Sequence, residues 1–247
     1  MWSLETVALV TITFLVGGFI KGTTGLGLPP VALAFMAAPL GVKAAMGIML
    51  GPCVVTNIWQ TVAGPSLGEL VKRLWTYLAA ACVGIWFGVT ILAGSSGNFL
   101  LGALGLFLTL YSAVSLMSPQ LPPPGDKERV FSPIFGGLGG VMFGMTGTFL
   151  VPGVLYLQTL GLNRHMMVQA LGLTFLTISS ALAAAMMRHS LVPQDIALLG
   201  LYAVAPTALG IWAGTRYRSN ISEAQFRKLF FIALLGVGLY LLVRAII

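Results

Sequence analysis

Ten apolar stretches divide this chain, and several are close to the roughly 20 residues that an α-helix needs to cross a bilayer. They cover 4–23, 28–40, 44–62, 74–92 and 99–117, then 134–145, 149–160, 166–187, 196–215 and 229–243. Only 8% of the residues are charged and 57% are hydrophobic, where a soluble domain carries about 25% charged residues. Such a chain cannot cover a globule with polar surface. The expectation is an all-α integral membrane protein, because helices satisfy their own backbone groups in lipid. The first stretch lacks a basic leader and carries Glu5, so it reads as a membrane segment and not as a cleaved signal.

The polar, proline-rich run 118–133 separates the chain into two halves that resemble each other. The reading is a first membrane repeat over 1–118, a cytoplasmic linker over 119–132 and a second repeat over 133–247. Gly17, Gly18, Gly22, Thr24, Gly25, Leu28 and Pro30 recur as Gly139, Gly140, Gly144, Thr146, Gly147, Leu150 and Pro152, all 122 positions on. Gly84, Ile85, Trp86 and Gly88 recur as Gly210, Ile211, Trp212 and Gly214, 126 positions on. Duplicated halves with paired interrupted segments are a recurrent transporter arrangement, and the interruptions point to the binding site.

Three of the stretches, 28–40, 134–145 and 149–160, are only 12 or 13 residues long. If 28–40 and 149–160 fold back as re-entrant hairpins, each half makes an odd number of crossings and the repeats are inverted. One side then collects Lys72, Arg73, Lys127, Arg129, Arg164, Arg216, Arg218, Arg227 and Lys228, the other only Lys43, Arg188 and Arg244, with Lys21 left over. Broken single crossings would divide the cations evenly. The positive-inside bias favours the inverted arrangement. It places both termini outside the cytoplasm and brings the two breaks together near the midplane.

Each break offers the chemistry of an anion site. Gly22, Gly25, Gly144 and Gly147 open the backbone, and the helices that follow present free N–H groups and partial positive charge. Thr23, Thr24, Thr146 and Thr148 add hydroxyl donors, and Lys21 adds a cation that the second half replaces with Phe143. Asn57 and Gln169 are further polar candidates inside apolar segments. All six acids, Glu5, Glu69, Asp126, Glu128, Asp195 and Glu223, fall at segment ends or in loops. This argues against a buried carboxylate relay or cation site and suits an anionic substrate.

Other chemistries lack their residues. Cys53 and Cys82 match no metal or redox spacing, and His165 and His189 form no ligand pattern. "GTTGLG" has no Gly-Lys-Thr ending of a phosphate loop and no strand before it. The net charge of +7 is not gathered into a basic run with interleaved aromatics, so nucleic acid is not an expected partner. The expectation is a protein that is not an enzyme and carries no metal or cofactor. Its partners are a small anion and membrane lipid, and its oligomeric state is left open.

"GTTGLGLPP" at 22–30, "GMTGTFLVP" at 144–152 and "QALGLTF" at 169–175 resemble the sulfite exporter TauE/SafE family, across essentially the whole chain. The resemblance implies a bacterial inner-membrane secondary transporter that exports a sulfur-containing or organic anion, such as sulfite, a sulfonate or sulfoacetate, by alternating access. Where that family often shows three glycines before the proline, this chain has Gly25-Leu26-Gly27 and Gly147-Thr148-Phe149. Thr148 and Phe149 would narrow the cavity and make it more polar. An anion channel, a carrier for small carboxylates and a non-transporting membrane subunit are the alternative readings.

Overall fold

A computed structural model describes residues 2–117, 122–218 and 223–246, side chains at 223, 224, 226 and 227 excepted. The first part of the expected linker, 118–121, and the side chain of Arg227 therefore lie outside the described residues. Those described form helices and loops, with no strand among them. The helices are α1 (Leu4–Thr24), α2 (Leu28–Leu40), α3 (Val42–Val62), α4 (Leu67–Gly94), α5 (Gly97–Met117), α6 (Glu128–Thr146), α7 (Leu155–Thr159), α8 (Arg164–Arg188), α9 (Gln194–Tyr202), α10 (Val204–Tyr217) and α11 (Glu223–Ile246). A single 3₁₀ turn, Gly125–Lys127, precedes α6, and a wide π-turn, Leu150–Val154, precedes α7.

Seven helical spans among the described residues are long and apolar enough to cross a membrane, α9 and α10 together counting as one. Leu28–Leu40 and Leu150–Thr159 are too short to do so, as expected. The stretch 134–145 is a different case. It belongs to a 19-residue helix that starts at Glu128, inside the run read as linker. Hydropathy misses its first turns because Glu128, Arg129 and Ser132 are polar, and Ser132 and Glu128 are engaged by other helices.

Local chemistry sets the boundaries. Ser3 caps α1 by accepting the Thr6 N–H at 3.2 Å, and Glu5 sits in the first turn where the helix dipole favours an acid. Asn163 caps α8 in the same way through Met166 N at 2.9 Å. α1 and α6 both stop at a left-handed glycine, Gly25 (φ 80°) and Gly147 (φ 74°). Each donates its N–H four residues back, Gly25 to Lys21 O at 2.7 Å and Gly147 to Phe143 O at 2.8 Å.

The chain forms two compact units. One comprises Met1–Pro52, Ser95–Ser118 and Ser190–Ile247; the other comprises Cys53–Gly94 and Pro119–His189. The sequence halves and the compact units are therefore different divisions, and each unit takes helices from both halves.

In the first unit, α1 packs on α10. A Cβ on Gly18 would meet the Thr207 backbone and one on Gly22 the Ile211 backbone, while Gly210 meets Leu15 and Gly214 meets Phe19. Residue numbers rise together, so the helices run parallel. α5 and α11 pack antiparallel, Gly105 against Gly238 and Leu242, and Gly238 against Thr109. Small residues let backbones approach where lipid supplies no hydrophobic drive for association.

In the second unit, α6 packs on α4 by the same rule. Gly140 meets Ala81, Gly144 meets Ile85, Gly84 meets Gly137 and Gly88 meets Val141. Adding 122 to an α1 residue and subtracting 126 from an α10 residue converts each α1–α10 contact into an α6–α4 contact. The spacing seen in the sequence thus recurs as a contact map inside each unit.

Candidate functional site

The break in the first unit follows Thr24. The Thr24 hydroxyl lies 2.8 Å from both Ile20 O and Leu26 O, donating to one at a time, and it accepts the Leu26 N–H at 3.2 Å. The neighbouring Thr23 hydroxyl donates to Ile20 O at 2.8 Å. Gly27 (φ 106°) then starts α2, with Pro29 and Pro30 in its first turn. Proline has no N–H, so this helix start offers fewer donors than an ordinary one. Lys21, at 9% exposure, is held inside the protein one turn before the break.

The second break repeats this and then departs from it. Thr146 donates to Met142 O at 2.8 Å, and the Thr146 and Thr148 hydroxyls bond each other at 2.8 Å. Where α2 follows the first break directly, here the backbone passes through extended Val151 and the π-turn before α7 begins. Phe149 packs edge-on to Tyr77, Phe143 and Phe175. Tyr77 also stacks on Tyr156, and Tyr156 on Phe135 at 5.0 Å.

Arg73 on α4 fixes where this hairpin returns. Its guanidinium donates to both oxygens of Glu128, the first residue of α6, at 2.7 and 2.8 Å. It also donates to the carbonyl of Leu160, at the end of α7, at 3.0 Å. The hairpin therefore begins and ends beside one side chain.

Gln169 is fully engaged. Its amide nitrogen donates to Thr61 O at 2.8 Å and Gly64 O at 2.6 Å, and its oxygen accepts the Ser66 N–H at 3.0 Å. It clamps the turn between α3 and α4. Asn57 lies in the same region, 2% exposed, and its carbonyl accepts the Thr61 hydroxyl at 2.7 Å.

The expected glycines and threonines therefore fall into three roles. Gly22 and Gly144 are helix-contact points, where the facing backbone leaves no room for a Cβ. Gly25 and Gly147 are helix caps. The threonine hydroxyls shape the breaks, with the protons of Thr23, Thr24 and Thr146 already donated within the chain. Sequence reading missed Arg73 and the aromatic cluster. Their partners lie 55 to 87 residues away in the case of Arg73, beyond any local pattern. No group of three or more His, Cys, Asp or Glu residues that could hold a metal occurs among the described residues.

Several bilayer-length helices, and two short apolar segments that each follow a helix ended by a left-handed glycine, define a polytopic helical membrane protein of the kind that builds transporters. The sequence matches the family described as "Sulfite exporter TauE/SafE" over residues 9–241, and the chain belongs to that family. Among curated proteins it is 27% identical over 240 residues to the "Probable sulfite/organosulfonate exporter TauE" of Cupriavidus necator, covering 93% of this chain and 91% of that one. No solved structure matches it.

Proposed function

We propose that the protein is a secondary transporter that carries a small sulfur-containing anion, of the sulfite or organosulfonate class, out of the cytoplasm by alternating access. The observation that carries this reading is membership, over almost the whole chain, of a family of sulfite exporters. The breaks support it. Each interrupts a helix at matched positions, and non-helical backbone at membrane depth is tolerated where it is buried in protein or lines a wet cavity. The first break also has the buried Lys21 beside it.

The reading places the protein in a bacterial inner membrane as two inverted repeats, with both termini outside the cytoplasm. The basic loops then face inward and raise the local anion concentration. An inside-negative potential favours anion exit by about 2.3 kcal/mol per charge per 100 mV. Export can run on that drive without a coupling carboxylate, consistent with the placement of the acids at segment ends.

Purified protein in liposomes loaded with sulfite tests the reading. Efflux should saturate with internal sulfite and should be accelerated by sulfite on the opposite side. Flux that rises linearly without counterflow would identify a channel, and no flux above empty liposomes would overturn transport of this class.

A further inference from the structure

The contact map shared by the two units allows their interiors to be compared position by position. On α1, Thr13, Gly17 and Lys21 are spaced four residues apart and share one face. α2 covers that face, because a Cβ on Gly17 would meet Leu28 Cδ1 at 2.9 Å and Val31 Cγ1 at 3.5 Å. On α6, Phe135, Gly139 and Phe143 stand in the same register, and Gly139 faces Phe149 and Gly153.

The contents of these two interfaces differ. In the second unit, rings fill the space: Phe135 on Tyr156, Tyr156 on Tyr77, and Phe149 against Tyr77 and Phe143. In the register of Phe135, Phe143, Phe149, Tyr156 and Tyr77, the first unit has Thr13, Lys21, Gly27, Ala34 and Ala203. Phe14, in the register of Gly136, and Phe230, whose ring a Cβ on Gly27 would meet at 3.6 Å, refill part of the volume. Even so, five aromatic side chains, each able to bury about 150–250 Å², are replaced by an ammonium, a hydroxyl and three small residues.

The Thr13 hydroxyl is the second observation. Thr13 is 1% exposed, and its Oγ1 makes no hydrogen bond. The other buried course was open to it, since Thr11, Thr146 and Thr207 each donate to the carbonyl four residues back. An unpaired buried hydroxyl costs about 1–3 kcal/mol, which a ligand oxygen would relieve.

We propose that the α1–α2 interface of the first unit is a pocket for a small oxyanion, with Lys21 supplying the charge and Thr13 a hydrogen-bond donor. The equivalent place in the second unit is closed by its aromatic cluster. The proposal rests on the transport reading above and makes it asymmetric: of two equivalent interfaces, the first is charged and the second is filled by rings. The ligand is a compact oxyanion head, sulfite or a sulfonate, the class the transport reading supplies. Thr13 and Lys21 lie eight residues, about 12 Å of helix, apart, so sharing it requires the long Lys21 stem to reach back along α1 toward Thr13.

Titration calorimetry of the purified full-length protein with sodium sulfite tests this. The wild type should bind one sulfite per chain. Thr13→Val, nearly isosteric, should raise Kd roughly tenfold, and Thr13→Ser should stay within about twofold of wild type, as loss and retention of one charge-assisted hydrogen bond require. Lys21→Met should abolish measurable binding. Phe135→Leu, at the register of Thr13 in the second unit, should leave Kd within about twofold, since it removes packing but no donor. If Lys21→Met does not fold, the Thr13 pair reads the pocket alone. Two sulfites per chain, or a Thr13→Val protein that binds like wild type, would overturn the pocket while leaving the transport reading intact. A wild type that neither binds sulfite nor shows sulfite counterflow would overturn the transport reading, and the pocket with it.

Discussion

Arg73 and Glu128 form a two-pronged ion pair, Nε to Oε1 at 2.7 Å and Nη2 to Oε2 at 2.8 Å. The pair joins the second turn of α4 to the first turn of α6, which runs parallel to it, and, through Leu160 O, the end of the hairpin. Both side chains remain partly exposed, at 34% and 24%. Paired-fork geometry is stronger than an ordinary surface contact, so Glu128→Gln should lower stability by about 1 kcal/mol. Arg73→Met should cost more, because it also frees the Leu160 carbonyl. Thermal unfolding in detergent would check both. The exchange Arg73→Glu with Glu128→Arg should recover part of the Glu128 loss but not the Leu160 contact. Full recovery would show that the carbonyl contributes nothing.

Gly140 and Gly236 give opposite expectations for the same substitution. A Cβ on Gly140 would run into the backbone of Ala81, which cannot move aside like a side-chain tip. Gly140→Ala should therefore separate α4 from α6 and destabilise the fold by roughly 1–3 kcal/mol or more. A Cβ on Gly236, inside α11, meets nothing within 4 Å. Gly236→Ala should be neutral or stabilise by up to about 1 kcal/mol through helix propensity. Yield and thermal midpoint of the two variants, measured together, separate packing from propensity.

Glycine and proline made the helix breaks readable before any coordinates. The Gly25 and Gly147 caps, the start of α2 at Leu28 and the short hairpin arms all follow from residues whose backbone chemistry is local. The start of α6 was hidden, because its first turn is polar and is held by Arg73 from another helix. The roles of the polar candidates were hidden for the same reason. Gln169 looks like a substrate ligand in a linear chain, but its partners lie more than a hundred residues earlier, at Thr61, Gly64 and Ser66. Thr13 gave no signal at all, being one threonine in an apolar run. Its lack of a partner is visible only once the surrounding helices are placed.

The Gln169 clamp predicts a structural phenotype. Gln169→Leu keeps the volume but strands two carbonyls and one N–H at the α3–α4 turn, each worth about 1–3 kcal/mol if buried and unpaired. The variant should fold poorly or melt well below wild type. Gln169→Glu supplies no donor for Thr61 O and Gly64 O and should fare no better. If either variant kept the wild-type midpoint and lost only sulfite binding, Gln169 would be a ligand and not a clamp.

Gly25 isolates backbone strain from crowding. Its φ of 80° lies in the left-handed region, and a Cβ there meets nothing within 4 Å. Gly25→Ala should therefore cost only the left-handed penalty, about 1–2 kcal/mol, and Gly25→Asn less, because asparagine enters that region more readily. Since the Gly25 N–H closes α1 onto Lys21 O, strain here should also loosen the turn that positions Lys21. Calorimetric titration with sulfite should then rank affinity as wild type, Gly25→Asn, Gly25→Ala, in the same order as thermal stability. Equal stability of the asparagine and alanine variants would mean that the break is reshaped by substitution and that its left-handed cap is not what holds Lys21 in place.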